Sequence, residues 1–145
     1  MGHLARRLGP KGALPWIVWA LAGCQGPAEP PAPPGGGQRY VLDYAEFEST
    51  VAPVFAAYGC NAMQCHGGGI RGTFELSPEG AQNPAFDFDQ AALQVDPYDP
   101  PSSPLLTQPL EQGAGGLAHP WEPFDSPQHP GYRAIEDWIL SGSFE

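Results

Sequence analysis

The stretch that decides how this chain is read is Cys60-Asn61-Ala62-Met63-Gln64-Cys65-His66-Gly67. Two thiols with four residues between them end directly against an imidazole. With 4 His among 145 residues, a given Cys is followed by His by chance about 3% of the time. Three uses fit these side chains. In an oxidising compartment the thiols can close a disulfide. With His66 and a distant His they can hold zinc. They can also anchor a covalently bound group. None of Asn61, Ala62, Met63 and Gln64 is β-branched, so the four are free to bulge outward.

Working outward, the segment before the motif has helical periodicity. Asp43 is a plausible N-cap for a helix carrying Tyr44, Phe47, Val51, Val54, Phe55 and Tyr58, whose spacings of three and four describe one face. Pro53 interrupts or restarts that helix, and Gly59 ends it. A second amphipathic helix is expected from about Pro130 to Leu140, with Tyr132, Ile135, Trp138 and Ile139 on one side and Glu136 and Asp137 on the other. Gly142 is placed to terminate it. Between them, a weak helix starts at Asn83-Pro84 with Phe86 and Leu93 as its apolar positions. A short turn of helix starts at Ser103-Pro104 with Leu105 and Leu106. The expected fold is small, mostly α and loop-rich. Two short helices and a long irregular middle bury too little apolar area to offset their ordering entropy. Something large and apolar is therefore expected inside.

Composition narrows the function class. Asp and Glu number 16 against 6 Lys and Arg, a formal charge of −10. That excludes a basic nucleic-acid footprint and polybasic attachment to anionic lipid. Gly and Pro number 19 each, about a quarter of the chain, which speaks against a long-helix bundle. The carboxylates show no paired spacing suggestive of hydrolysis and read as a solvated acidic surface.

The N-terminus reads as targeting rather than fold. Arg6, Arg7 and Lys11 precede an apolar run from Leu14 to Ala22, too short to span a bilayer but suited to a signal peptide. Leu21-Ala22-Gly23-Cys24 resembles the lipobox of bacterial lipoproteins, which implies cleavage after Gly23 and acylation of Cys24. Residues 1–23 are then signal, 24–37 a Pro/Gly-rich tether, and 38–145 the folded domain. Cleavage leaves Arg39, Arg71 and Arg133 against all 16 carboxylates, a net of −13. Once Cys24 is acylated, Cys60 and Cys65 are the remaining cysteines.

Cys60, Cys65 and His66 resemble the c-type haem attachment motif in a variant with four intervening residues instead of two. The flanking segments are similar to small class I cytochrome c domains of bacterial lipoproteins. These are Val51-Ala52-Pro53-Val54-Phe55, Ser103-Pro104-Leu105-Leu106 and Ile135-Glu136-Asp137-Trp138-Ile139-Leu140-Ser141-Gly142. The resemblance covers about residues 40–142. It implies one covalent haem c on Cys60 and Cys65, His66 as proximal iron ligand, and N- and C-terminal helices packed near the haem. It also implies electron transfer outside the cytoplasm. A covalent porphyrin would supply the missing core.

The opposite side of the iron is constrained by the residues themselves. Met1 is lost in processing and Met63 lies inside the attachment loop, so a methionine ligand is nearly excluded. The nitrogen candidates are His119, in a glycine-rich loop beside Trp121, and His129, read as a capping or surface residue beside Pro130. His119 is the expected distal ligand. The resulting expectation is a membrane-anchored, single-haem electron carrier, at the periplasmic or outer-membrane surface, that meets a redox partner with a basic docking surface. Two alternatives stand: a haem enzyme or gas sensor with an open distal site, and a non-haem lipoprotein interaction module with a Cys60–Cys65 disulfide or zinc.

Overall fold

The computed structural model describes residues 37–69 and 72–145. The expected signal peptide 1–23, the acylation site Cys24 and the tether up to residue 36 lie outside the described residues. The described chain is mostly helical and loop-rich. No helix among the described residues is long and apolar enough to cross a membrane.

The first helical stretch is built in three pieces: α1 (Tyr44–Glu46), a π turn (Phe47–Val51) and α2 (Ala52–Ala57). Asp43 caps it, its carboxylate accepting from Glu46 N–H at 2.7 Å. The π turn follows from Pro53. Proline has no N–H for the carbonyl four residues back. The ladder upstream widens, and Ala52 N–H bonds Phe47 O, five residues earlier. Pro53 therefore re-registers the helix rather than ending it. Phe47, Val51 and Phe55 are buried, whereas Tyr44 is 39% exposed and meets Phe88 edge-on at 5.4 Å.

Gly59 ends α2 in a Schellman motif. Cys60 N–H bonds Phe55 O at 2.9 Å and Gly59 N–H bonds Ala56 O at 3.3 Å, with Gly59 at φ +68°. The stop signal that ends the helix thus also sets where Cys60 begins.

The middle holds α3 (Pro84–Ala92), a 3-10 turn (Pro100–Ser102), α4 (Pro104–Thr107) and a second 3-10 turn (Gln112–Ala114). Asn83 caps α3 by accepting from Phe86 N–H. The inward face of α3 carries Asp87 and Ala91. Leu93, expected on the apolar face, is 72% exposed, because it falls about 200° around the helix from Ala91. Asp87 departs from the solvated-carboxylate reading. It is buried and accepts from Ser77 N–H at 2.6 Å and Ser77 Oγ–H at 2.7 Å. Asn83 N–H in turn donates to Ser77 Oγ at 2.8 Å. This network closes the loop ahead of α3 without a regular element.

Helix α5 (Pro130–Ser141) buries Tyr132, Ile135, Trp138 and Ile139 as the periodicity requires. It packs on the first helical stretch through Trp138, whose ring lies 5.2 Å from Phe47 and whose indole N–H donates to Asp43 O at 2.9 Å. Gly142 does not take a left-handed turn; its φ is −64°. What it supplies is room, since a Cβ there would sit 2.6 Å from the Tyr40 ring. Two short strands, β1 (Tyr40–Val41) and β2 (Ser143–Phe144), pair antiparallel and join the two ends of the described domain.

The core is more complete than the helix count suggests. Phe47, Val51, Leu76, Leu106, Leu110 and Phe124 come from five different stretches and pack with α5 into one buried cluster. On one side that cluster ends at a cavity of about 370 Å³, against which Phe55, Leu105, Phe124 and Ile135 form the floor.

Candidate functional site

The Cys60–Gly67 loop is a chain of tight turns. Ala62 N–H bonds Gly59 O, Cys65 N–H bonds Ala62 O, and His66 N–H bonds Cys60 O, at 2.9–3.1 Å. Asn61 is buried, and its carbonyl accepts from Glu79 N–H at 3.1 Å. The backbone there is so close that a Cβ on Gly67 would lie 1.9 Å from Asn61 O. Only Met63 and Gln64 of the four intervening residues bulge fully into solvent. Met63 is 63% exposed and does not line the cavity.

Cys60 and Cys65 both line the cavity as free, half-buried thiols. Burial, with the neighbouring Cys65, pushes the Cys60 thiol up to about 11. His66 lines the same wall. Its Nδ1–H donates to Phe74 O at 3.1 Å, and the two rings lie 4.7 Å apart. In the neutral ring this puts the coordinating lone pair on Nε2.

His119 lines the cavity too, brought there by the loop after the Gln112–Ala114 turn. Gly116 permits this loop to close, since a Cβ there would lie 1.8 Å from Leu110 O. Nδ1 of His119 lies 2.6 Å from Trp121 O and 3.3 Å from Trp121 N. With the proton on Nδ1 the ring donates to Trp121 O and its lone pair lies on Nε2; in the other tautomer Nδ1 accepts from Trp121 N–H. Imidazoles that ligate metals typically donate their second nitrogen to a carbonyl or carboxylate in this way. The rings of His66 and His119 lie 6.0 Å apart and 15° from parallel, though 53 positions separate them in sequence.

His129 is placed elsewhere. Its Nδ1 accepts from Gly131 N–H at 3.1 Å and caps α5, and Nε2 lies 3.4 Å from the Tyr58 hydroxyl. It does not line the cavity. Among the described residues, no group of three or more His, Cys, Asp or Glu side chains converges as a metal site.

Two residues at this site escape sequence reasoning. Trp121, which the sequence marks only as a neighbour of His119, donates its indole N–H to Tyr58 O at 3.0 Å and so ties the His119 loop to the end of α2. Glu122 accepts from His119 N–H at 3.2 Å and from the Gln112 amide at 3.0 Å. Those two donors hold its carboxyl below the usual range. The Trp121 bond spans 63 positions and the Gln112–Glu122 bond spans ten, so no local spacing signals them; the Glu122–His119 bond spans three but lies in irregular chain. Comparison with family models, with curated proteins and with solved structures finds no match for this chain.

Proposed function

We propose that this chain is a single-haem c-type cytochrome, tethered by lipid on Cys24, that carries electrons outside the cytoplasm. The observation that supports this best is the pairing of His66 and His119 across an apolar cavity that also holds both thiols. His66 and His119 would be the two residues that hold the iron, each through a ring nitrogen. The ring centres here are 6.0 Å apart. The cavity, about 370 Å³, falls within the usual range of about 300–1,000 Å³ for cofactor sites. The donor set therefore fits the group.

In this reading Cys60 and Cys65 would hold the porphyrin, and His66 and His119 would ligate its iron. The haem supplies one-electron chemistry when bound. The protein residues orient it: Phe74 O and Trp121 O accept from Nδ1–H of the two imidazoles, while Phe55, Leu105, Phe124 and Ile135 exclude water from one side. Two nitrogen ligands set a lower potential than a histidine–methionine pair. The acidic surface, with Arg133 already engaged by Glu136 and Asp137, favours a basic redox partner and salt-sensitive docking.

A haem stain on a denaturing gel tests covalent attachment; a negative stain sinks the proposal and returns the disulfide or zinc module. His119→Ala tests the axial pair. The oxidised wild type is expected to be low-spin, and the reduced wild type to bind carbon monoxide only slowly. His119→Ala should open the site, raise the spin state and bind carbon monoxide. A wild type that binds carbon monoxide freely would instead be an open-site haem enzyme or sensor.

A further inference from the structure

His119 sits in a segment with backbone ties only at its two ends. Leu117 N–H bonds Thr107 O at 2.8 Å, and Phe124 N–H bonds Pro109 O at 3.1 Å. Between these ties the chain is held by side chains. Trp121 reaches across to Tyr58 O. Glu122 turns back, and its Oε1 accepts both His119 N–H at 3.2 Å and the Gln112 side-chain amide at 3.0 Å. The first of these bonds fixes the backbone of His119 itself. The second anchors the carboxylate to the 3-10 turn at the start of the loop. One oxygen thus clips the imidazole-bearing residue to the turn that precedes it by seven positions. A glycine-rich loop without such a clip has many conformers to choose from.

We infer that Glu122 is a positioning residue for His119, holding the loop in the conformer that presents the imidazole to the cavity. This rests on the reading of His119 as an axial ligand. Glu122 touches neither the cavity nor the porphyrin site; it acts through the His119 backbone. The requirement is for an acceptor oxygen at the carboxyl position, so Gln meets it and Ala does not. Losing the clip raises the population of conformers with His119 withdrawn. A ligand that competes for that axial position then binds faster in proportion to the withdrawn fraction.

The test uses the full-length, haem-loaded protein from a host that matures c-type haem. Glu122→Ala, Glu122→Gln and His119→Ala are compared with wild type by optical and spin-resonance spectra and by carbon monoxide binding after reduction. Glu122→Ala is expected to show a high-spin fraction and about tenfold faster carbon monoxide association, with Glu122→Gln within about twofold of wild type. A structural defect alone would lower the melting temperature without changing the spin state. If His119→Ala opens the site while Glu122→Ala matches wild type, the inference about Glu122 is wrong and the ligand reading stands. If His119→Ala leaves the spectrum unchanged, the ligand reading itself fails. Glu122→Gln behaving like Glu122→Ala overturns the hydrogen-bond account. Should Glu122→Ala not fold, Gln112→Ala decides. Carbon monoxide association between the wild-type and His119→Ala rates supports the clip; a wild-type rate overturns it.

Discussion

Gly67→Ala isolates the feature on which the whole motif depends, the tight closure of the Cys60–Gly67 loop. Gly67 does not need a left-handed backbone, so alanine meets no conformational objection there. The obstacle is contact: the new Cβ would lie 1.9 Å from Asn61 O, 2.8 Å from Asn61 C and 3.0 Å from Pro78 Cα, all of them backbone. Relief requires the loop to open by roughly 1 Å, and Asn61 O is also held by Glu79 N–H. Forced overpacking of this kind costs about 2–3 kcal/mol. For a domain near 100 residues that lowers Tm by about 10–20 °C. Gly113→Ala is the matched control, because a Cβ there meets nothing within 4 Å and the backbone φ is not positive. It should be neutral or gain about 0.4–1 kcal/mol from a stiffer unfolded chain. The assay is thermal unfolding by circular dichroism, with haem content per chain measured in parallel. If Gly67→Ala melts with Gly113→Ala and retains full haem, the loop is not closed as described and the steric reasoning is wrong.

Three further outcomes follow from named contacts. Asp87→Ala strands Ser77 N–H and its hydroxyl beside α3, and should destabilise by about 3 kcal/mol, read from the urea midpoint. An unchanged midpoint would mean that the 77–87 loop is held by something else. His129→Ala removes the α5 cap and should lower stability by about 1 kcal/mol while leaving the visible spectrum of the proposed haem form untouched; a spectral change would move the proposed distal ligand to His129. In the haem-free domain, the Cys60 thiol, ordinarily titrating near 9, is pushed up to about 11. The unfolded chain therefore loses that proton first, and stability falls as pH rises from about 9 to about 11. Urea midpoints across this window should fall less steeply in Cys60→Ala than in wild type, and parallel curves would contradict the burial of the thiol.

What the sequence determined on its own is local. The cap at Asp43, the helix start at Asn83-Pro84, the stop at Gly59 and the buried stripe of α5 rest on spacings within one or two helical turns, where neighbours in sequence are neighbours in space. The thiol–thiol–imidazole run is likewise contiguous, and the absence of a usable methionine is a matter of composition. The tertiary structure decided the rest. Whether His119 or His129 reaches the cavity depends on a loop closing through Gly116, Trp121 and Glu122, and no periodicity records that closure. The burial of Asp87 depends on Ser77 arriving from ten residues away. The β1–β2 pairing joins Tyr40 to Phe144, and it leaves Gly142 room for a ring rather than for a turn. Part of the core that the helices lack is supplied by irregular chain, since Leu76, Leu110 and Phe124 pack into one buried cluster beside the cavity. Side chains in loops are buried by where the chain returns, and that return is set by the sum of long-range contacts.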